Sequence, residues 1–335
     1  MKTAVWYSNH DIRIEEQPQP EPGPGEMLVK VAACGICGSD VVEWYRLPRA
    51  PLVPGHEVAG DVAAVGENVT AFSVGDRVVI APKLSCGECH YCQNGHHPQC
   101  TEVKERMPGG FADYILVPER FVNEGTFCVP DDFSLEESTF MEPLACVVRA
   151  QRLAEIKEGQ TVFVVGCGMS GLLHTKVATL KGADVVTMDI SATKLELSKA
   201  NGAIAAIDAG SMNPAEHFER AGKKADVVML CTSAMPAIES SWDCLDKGGA
   251  MVFYTVPGPE KDVVVPLNRF WMQEIKILTS YYCGPKDLAE ALDLLTSGSI
   301  KVGDMITHRL PLDETAKGFE LLLDGQDAVK VMIEP

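Results

Sequence analysis

The sequence has few positive charges for its size: 29 lysine and arginine residues stand against 47 aspartate and glutamate residues, a formal net charge of −18. A surface this acidic repels phosphate groups, so nucleic acids and anionic membranes are poor partners. The chain also lacks an apolar run near the roughly 20 residues that span a bilayer. Its first residues lack the apolar core of a secretory signal peptide. We therefore expect a soluble, cytoplasmic protein.

Internal repeats, low-complexity tracts and long flexible linkers are also absent from the sequence. The 335 residues are 46% hydrophobic, which is enough for about two domains with cores of their own. Charged residues make up 23%, a proportion typical of folded rather than disordered chains.

The pattern of predicted secondary structure changes near residue 146. Before that point, short β-like runs such as 27–33 and 57–65 are separated by glycine and proline turns, which predicts an irregular β domain over residues 1–145. Beyond it, strand-like and helix-like segments alternate, which predicts βαβ units around a parallel sheet over residues 146–284. Residues 285–335 repeat no such unit and are predicted to return to the first domain.

A glycine-rich turn follows the predicted strand at 161–165 and opens a helix: Gly166-Cys-Gly-Met-Ser-Gly171. Here the first glycine allows a tight turn, the second lets a pyrophosphate approach the backbone, and the third lets helix and strand pack closely. The next strand ends at Asp189, whose carboxylate would bind the adenosine ribose and repel a 2′-phosphate, which favours NAD over NADP. The alternative is an ordinary βαβ turn with an incidental surface aspartate. The residues predicted to bind NAD are Gly166, Gly168, Met169, Ser170, Gly171, Asp189 and Lys194.

Four of the twelve cysteines lie close together, spaced Cys86-x2-Cys89-x2-Cys92-x7-Cys100. Four thiolates in one loop match a closed tetrahedral zinc site with no open position for chemistry. Metal binding would supply folding energy to this lobe, residues 86–100. Disulfides, an iron–sulfur cluster and free thiols are the alternatives, of which a reducing compartment disfavours the disulfides.

A second constellation is spread along the first domain. It comprises Cys37 in Cys-Gly-Ser-Asp, His56 and Glu57 in Gly-His-Glu, and Glu142 in Met-Glu-Pro-Leu. One thiolate, one imidazole and a carboxylate can hold a catalytic zinc ion and leave a position open for water or substrate. Spacing alone does not establish that these residues meet. Taken singly, His56 fits a hydrogen-bonded structural histidine, and Cys37 fits a redox pair with Cys34.

Taken in order along the chain, these motifs resemble those of zinc-dependent medium-chain alcohol dehydrogenases. The Glu142-Pro-Leu-Ala segment is most similar to the polyol branch, which includes sorbitol and threonine dehydrogenases. The resemblance covers essentially the whole chain. It implies an α/β protein with a GroES-like catalytic domain and a doubly wound Rossmann domain. It also implies two zinc ions per chain, one catalytic and one structural, and a homodimer or homotetramer joined through the Rossmann sheets.

The resemblance also implies roles for single residues. Glu142 matches a glutamate that contacts the zinc-bound water or exchanges onto the metal. Ser39 matches the hydroxyl that receives the proton of the substrate alcohol, and Asp40 matches a carboxylate that orients His56 or a loop bearing a ligand. The residues that match the catalytic zinc ligands are Cys37, His56 and Glu57.

One departure from the family pattern concerns the proton. Many relatives carry a histidine three residues after the Ser39 position, and it delivers the proton to solvent. This chain has Val42 there, which cannot carry a proton. The adjacent Glu43 or a water molecule would have to take over.

A second departure concerns the substrate. Sorbitol dehydrogenases have an Arg-Tyr pair that contacts the polyol, whereas the comparable segment here supplies Tyr281 and Tyr282, which we predict to contact the substrate. Arg46 and Arg49 lie between the first two predicted zinc ligands. They belong either to a solvated loop or to a pocket for an anionic substrate group.

The function predicted from the sequence is that of a zinc-dependent oxidoreductase, which transfers hydride between a secondary alcohol or polyol and NAD. The alternative is a non-catalytic protein that keeps this fold and binds zinc and NAD. A nucleic-acid-binding zinc protein is disfavoured by the net charge of −18 and the absence of a basic cluster. The expected partner is therefore a small molecule.

Overall fold

The computed structural model describes residues 1–103, 105–325 and 327–335, and it shows two compact units. The first unit contains Met1–Ala145 and Cys283–Pro335, and the second contains Cys146–Tyr282. The first unit is therefore built from two separate stretches of chain.

The strands and helices are numbered here in chain order. The strands are β1 Lys2–Ser8, β2 Asp11–Glu16, β3 Met27–Gly35, β4 Glu57–Val65, β5 Arg77–Ile80, β6 Tyr114–Val117, β7 Thr126–Cys128, β8 Thr161–Val165, β9 Asp184–Asp189, β10 Ala205–Asp208, β11 Ala225–Leu230, β12 Leu245–Phe253, β13 Lys276–Thr279, β14 Ile306–Pro311 and β15 Lys330–Glu334. The α-helices are α1 Glu43–Arg46, α2 His90–Gln93, α3 Glu119–Glu124, α4 Leu135–Ser138, α5 Met141–Leu153, α6 Met169–Leu180, α7 Ala192–Ala200, α8 Pro214–Ala221, α9 Met235–Ser240, α10 Leu267–Met272, α11 Pro285–Thr296 and α12 Thr315–Asp324. Within the described ranges, none of these helices has the length and apolar character needed to span a bilayer.

The first unit is organised around a seven-stranded, mostly antiparallel sheet. Six of its strands lie in the order β14-β15-β3-β4-β5-β7. The seventh strand, β6, pairs with the start of β3, whereas β15 pairs with the end of β3. The pairing of β3 with β4 shifts register twice, between Leu28 and Val29 and between Val31 and Ala33. Such irregularities bend a sheet and increase its twist. The second stretch of chain completes this sheet by adding β14 and β15.

The core of the first unit lies against this sheet. Trp6, Phe111, Phe121 and Phe319 are almost fully buried, and the rings of Phe111 and Phe319 meet edge to face with their centroids 6.1 Å apart. This core fixes the relative positions of the strands that carry the candidate metal ligands.

The second unit is a parallel sheet of six strands in the order β10-β9-β8-β11-β12-β13. Numbered within the unit, this is the order 3-2-1-4-5-6 of a doubly wound sheet. β8 is buried along its whole length, as expected for a central strand covered on both faces. The strand order reverses between β8 and β11, so the carboxyl end of β8 lies at the position where such sheets bind ligands.

Two segments of the second unit differ from the sequence-based expectation. The sequence predicts a helix over 236–245, but α9 is shorter, and the last of these residues opens β12 because it pairs with β11. The predicted strand at 276–282 ends at Thr279, and Tyr282 has a left-handed φ of 58°. In both places pairing with a neighbouring strand, rather than local propensity, sets the boundary.

Candidate active site and metal centres

The register of β3 and β4 brings the predicted catalytic ligands together. Gly35, at the end of β3, pairs with Glu57, at the start of β4, so the turn that carries Cys37 lies beside His56 and Glu57. One ligand atom from each of Cys37, His56 and Glu57 lies within 4.8 Å of the other two. Zinc binds sulfur, nitrogen and oxygen at about 2.0–2.3 Å. These three donors can therefore surround one ion and leave a fourth position open.

Asp40 ties the sulfur and imidazole donors to each other. Its side chain is fully buried, Oδ1 lies 3.3 Å from Nδ1 of His56, and Oδ2 accepts a hydrogen bond from the N–H of Cys37 at 3.0 Å. Burial raises the pKa of Asp40, but His56 and Arg46 lower it more, so the net pKa is below its usual value. The carboxylate stays charged and orients the ring of His56, which leaves Nε2 for a metal.

Glu57 is paired with a buried lysine. Neither Glu57 nor Lys330 has an exposed side chain, and Nζ of Lys330 contacts Oε2 of Glu57. A Cβ on Gly35 would collide with this pair, so a larger residue there would have to displace it. Burial lowers the pKa of Lys330, but Glu57 and Cys37 raise it to a net value above normal. Oε1 of Glu57 is buried and finds no hydrogen-bond partner in the described ranges, which makes it available to a metal.

Ser39 lies beside the sulfur donor. Oγ of Ser39 donates to Sγ of Cys37 over 3.4 Å, and the N–H of Ser39 approaches the same sulfur at 3.4 Å. Arg46 contacts this serine as well, because α1 turns its side chain back toward the loop. With 9% of its surface exposed, Arg46 points inward. The alternative in which Arg46 belongs to a solvated loop is therefore wrong.

The other charged residues of this segment point elsewhere. Oε1 of Glu43 accepts a hydrogen bond from the N–H of Asn9 at 3.0 Å, so this carboxylate is engaged with Asn9 instead of Ser39. Its role as a proton carrier stays a prediction. Arg49 is exposed, donates to the carbonyl oxygen of Tyr45 at 2.9 Å, and lies 4.6 Å over the Tyr45 ring.

Glu142 is buried in the first turn of α5, with 6% of its surface exposed. Its charge acts on Lys330, so the two groups lie in the same neighbourhood. Its oxygens do not belong to the set of donor atoms that lie within 4.8 Å of one another. A place in the outer shell of the site therefore fits Glu142 better than a place among the ligands.

The four cysteines of the lobe converge on one point. All four sulfurs lie within 4.8 Å of one another, with 3.4 Å between Cys89 and Cys92 and 3.9 Å between Cys86 and Cys92. Tetrahedral zinc, with Zn–S bonds near 2.3 Å, places its sulfurs about 3.8 Å apart. The backbone N–H of Cys86 also donates to the sulfur of Cys100 at 3.3 Å. The structure joins none of these four cysteines in a disulfide.

The thiols of the lobe differ in acidity. Burial and the neighbouring Cys89 raise the pKa of Cys92 to about 12. Burial also raises the pKa of Cys100, but backbone N–H groups outweigh it and lower the pKa to about 6. A zinc ion held by all four residues as thiolates would have to displace the proton of Cys92.

The glycine loop follows β8 at the point where the strand order reverses. Gly166 has a left-handed φ of 97°, and a Cβ on Gly171 would collide with the carbonyl oxygen of Gly166. Apart from its two chain neighbours, no atom of the described residues lies within 4 Å of a Cβ position on Gly168, so this backbone borders open space. α6 begins directly after it, at Met169, and its first N–H groups are not used within the helix. A phosphate group fits this arrangement of turn, space and helix end.

Asp189 is joined to the glycine loop at the carboxyl end of β9. Oδ2 accepts a hydrogen bond from the N–H of Cys167 at 2.6 Å, and Oδ1 accepts from Ile190 at 2.8 Å and Ser191 at 2.9 Å. Lys194 lies in the first turn of α7 and is 7% exposed. The predicted ribose-binding carboxylate therefore lies next to the predicted phosphate site.

Comparison with known proteins identifies the family. The alcohol dehydrogenase GroES-like domain matches residues 23–130, and the zinc-binding dehydrogenase domain matches residues 171–297. A sorbitol dehydrogenase of Halalkalibacterium halodurans is 31% identical over 334 residues, which cover 96% of this chain and 95% of that protein. The chain belongs to the zinc-dependent medium-chain alcohol dehydrogenases. The predicted similarity to the polyol branch is confirmed.

Solved structures of other dehydrogenases agree with the fold class of this one. The structure of a protein described as a zinc-binding dehydrogenase, from Sinorhizobium meliloti 1021 and bound to NADP, has a TM-score of 0.87 and 31% identity, and the match covers 100% of this chain and 99% of that one. Galactitol-1-phosphate dehydrogenase from Escherichia coli has a TM-score of 0.86 at 26% identity over 100% of both chains. The predicted fold, a GroES-like β unit with a doubly wound Rossmann sheet, is confirmed.

The tyrosines of this dehydrogenase that were predicted to contact substrate end the second unit. Tyr281 is 55% exposed, and Tyr282 is half-buried in its left-handed conformation. Their contact with substrate stays a prediction.

Sequence reasoning missed Lys330 and gave Arg46 only as one of two alternatives. A signal for Lys330 is present, because a lone lysine interrupts the apolar run 328–333 and a lysine in a buried strand needs a partner. Arg46 offers no comparable signal. Its contacts depend on the turn of α1, which local sequence does not determine.

Proposed function

We propose that this dehydrogenase oxidises a secondary alcohol or polyol and uses NAD as hydride acceptor. The proposal rests on the close arrangement of donor atoms from Cys37, His56 and Glu57. The hydroxyl oxygen of Ser39 lies beside this arrangement, 3.4 Å from the sulfur of Cys37. Relatives named sorbitol dehydrogenase and galactitol-1-phosphate dehydrogenase support a substrate with several hydroxyl groups.

The catalytic zinc ion is assigned to Cys37, His56 and Glu57. The buried Oε1 of Glu57, which lacks a partner in the described ranges, fits this role. When bound, zinc supplies the Lewis acidity that makes an alcohol easier to deprotonate. Asp40 orients the imidazole and Lys330 holds the other oxygen of Glu57, so two donors are fixed before the metal arrives. Glu142, whose charge acts on Lys330 and which is not among the clustered donors, is proposed to contact the zinc-bound water.

Ser39 is proposed to receive the alcohol's proton. Its Oγ is already fixed beside the sulfur donor. Val42, which occupies the position of the family's relay histidine, has no group that exchanges protons. Water is proposed to carry the proton onward, and Glu43, whose Oε1 accepts a hydrogen bond from Asn9, stays the alternative carrier.

NAD is assigned to the glycine loop, Gly166–Gly171 with its helix end, and to Asp189 and Lys194. The carboxylate of Asp189 is suited to accept hydrogen bonds from ribose hydroxyls and repels a 2′-phosphate. We expect kcat/KM to be at least about tenfold higher with NAD than with NADP, a difference of about 1.4 kcal/mol. One relative was solved with NADP bound. Equal kcat/KM values with NAD and NADP would therefore contradict this assignment.

A second zinc ion is assigned to Cys86, Cys89, Cys92 and Cys100, whose sulfur spacing fits a closed tetrahedral site. Such a site has no open position and contributes folding energy rather than chemistry. Two zinc ions per chain are therefore expected.

A homo-oligomer is proposed from the free edge of the second unit. β13 is the last strand of its sheet, and several apolar side chains nearby are exposed, among them Leu267 at 64%, Trp271 at 79%, Met272 at 70% and Ile277 at 42%. An unpaired edge next to exposed apolar groups is a common surface for self-association. Light scattering of the purified protein should show a dimer or tetramer, and a monomer would contradict this assignment.

The function is tested by an NAD-coupled screen of polyols, sugar phosphates, hydroxy amino acids and small diols, with zinc measured on the same preparation. We expect NADH formation with at least one class and its loss in Ser39→Ala. An exposed serine provides the matched control, Ser299→Ala. Protein that binds zinc and NAD but oxidises no alcohol would favour the non-catalytic alternative.

A further inference from the structure

The guanidinium of Arg46 is bonded into the candidate active site at three points. Nε donates to the carbonyl oxygen of Ser39 at 3.1 Å, and Nη2 donates to Oγ of Ser39 at 3.2 Å and to Oδ1 of Asp40 at 2.6 Å. Nη2 also lies 3.5 Å from Nδ1 of His56. The side chain of Arg46 is 11% exposed and that of Asp40 is 0% exposed, so this charge pair is largely removed from water.

These bonds occupy most of the hydrogen-bonding capacity of the Ser39 hydroxyl. A hydroxyl has one hydrogen to donate and two lone pairs that accept. Oγ of Ser39 donates to Sγ of Cys37 and accepts from Arg46, so one lone pair remains. Since a serine hydroxyl otherwise rotates freely, the two bonds decide where that lone pair points.

We propose that Arg46 is a positioning residue, which holds the Ser39 hydroxyl so that its remaining lone pair accepts the proton of the substrate alcohol. This inference rests on the proposed function, because it needs Ser39 as the proton acceptor. In the transfer, the O–H bond of the alcohol breaks and a new one forms to Oγ. As this bond forms, the original Oγ–H bond of Ser39 breaks: its hydrogen turns from Sγ of Cys37 to a water molecule, which takes the proton, so the serine remains neutral.

Arginine suits this task better than lysine. The planar guanidinium fixes several donors in one rigid fork, so Ser39 and Asp40 are held in a constant relative position. It also has no acceptor site and does not lose its proton in proteins, so it cannot divert the proton from Ser39. The same fork links the proton acceptor to Asp40, which orients the zinc ligand His56.

The test compares Arg46→Met and Arg46→Lys with the matched control Arg49→Met. Arg49 lies three residues further along, is exposed, and hydrogen-bonds only to the carbonyl of Tyr45 among the described residues. For each variant we would measure kcat, KM, the solvent deuterium isotope effect on kcat, and zinc content. Arg46→Met should lower kcat about 100-fold through the misplaced hydroxyl, with KM and zinc content nearly unchanged. Its solvent isotope effect should increase because proton transfer becomes slower.

Two further results would support the assignment. Arg46→Lys should recover only part of kcat, and millimolar guanidinium should restore activity to Arg46→Ala but not to Ser39→Ala. Independently of activity, the shifts in urea midpoint caused by Ser39→Ala and Arg46→Met should be non-additive in the double variant, whereas those of Ser39→Ala and Arg49→Met should add.

Several outcomes would overturn it. Arg46→Met with the kcat and isotope effect of Arg49→Met would show that Arg46 is not needed to position Ser39. A loss of kcat that matches a loss of zinc would show that Arg46 acts only on the ligand shell. If the wild-type protein oxidises no alcohol, the proposed function fails and this inference falls with it. If the wild type turns over and Arg46→Met is normal, only this inference fails.

Discussion

The two candidate metal sites of the first unit are built in opposite ways. The cysteine lobe takes four identical ligands from one loop and supports their sulfurs with backbone N–H groups of the same loop. The catalytic set takes three different donors from the turn after β3 and the start of β4, and other side chains fix them. One supporting residue, Lys330, lies 273 positions from its partner Glu57. A closed site can thus be local, whereas an open site with a reactive position needs support from the whole unit.

The largest effect is expected from breaking the lobe. Cys92→Ser removes a buried ligand, and a structural zinc site in small zinc domains contributes on the order of 10 kcal/mol of folding free energy. We expect zinc content to fall by one ion per chain and the protein to unfold at far lower urea concentration. Cys128→Ser, an exposed cysteine outside both sites, is the control. Unchanged stability together with the lost zinc ion would show that the lobe does not need its metal.

The opposite pattern is expected from Cys37→Ser in the catalytic set. Lewis acidity is worth several kcal/mol of transition-state stabilisation, so kcat/KM should fall about 1000-fold. The urea midpoint should stay near that of Cys128→Ser, because the core of the unit is untouched. Steady-state kinetics and urea unfolding curves, measured on the same samples, test both expectations. A variant as unstable as Cys92→Ser would remove the contrast between the two sites.

Lys330→Met tests how far the catalytic set depends on its distant support. The change leaves the buried carboxylate of Glu57 without its cation, and breaking a buried ion pair costs about 3–5 kcal/mol. Urea unfolding should show this loss. Lys317→Met breaks an exposed pair with Glu314 and should cost under about 1 kcal/mol. Equal losses in the two variants would mean that Glu57 finds compensation elsewhere.

The smallest effect is expected from lowering the pH. It tests whether acid destabilises the protein through the second unit or through loss of metal. His174 is fully buried, and burial, aided by the charge of Lys181, lowers its pKa to about 3. An unfolded histidine titrates near 6.5, so between these values only the unfolded state takes up the proton. The free energy of unfolding should therefore fall as pH drops from about 6.5 toward 3, by up to about 1.4 kcal/mol per pH unit.

His174→Gln should flatten this slope, and His10→Gln, an exposed histidine, should leave it unchanged. The measurement is urea unfolding from pH 7 to pH 4, with zinc content followed in parallel. An identical slope in all three proteins would assign the acid sensitivity to the metal sites instead.

The sequence predicts much of the fold because its strongest signals are local. The strands at 57–65 and 161–165 have the bounds predicted from the sequence. The cysteine lobe could be predicted for the same reason, since its four ligands lie in one loop. The catalytic ligands could be named only through the family resemblance, because no spacing shows that the ends of two strands meet.

The remaining part of the site depends on geometry that only the folded chain possesses. The pairing of β15 with β3 decides that Lys330 meets Glu57, and the short helix α1 decides that Arg46 rather than Glu43 meets Ser39. The absence of a side chain at Gly35 is visible in the sequence, but the pair for which it makes room is not.

The ion pair between Glu57 and Lys330 also sets an order of events during synthesis of the chain. The cysteine lobe is complete in sequence once residue 100 has left the ribosome, so the zinc ion proposed for it could bind early. Glu57 lacks its cation until the ribosome has added a further 273 residues. The second unit is therefore synthesised before β15 is available to complete the sheet of the first unit and to pair Lys330 with Glu57. The centre assigned to the chemistry is therefore the last part of the first unit to mature.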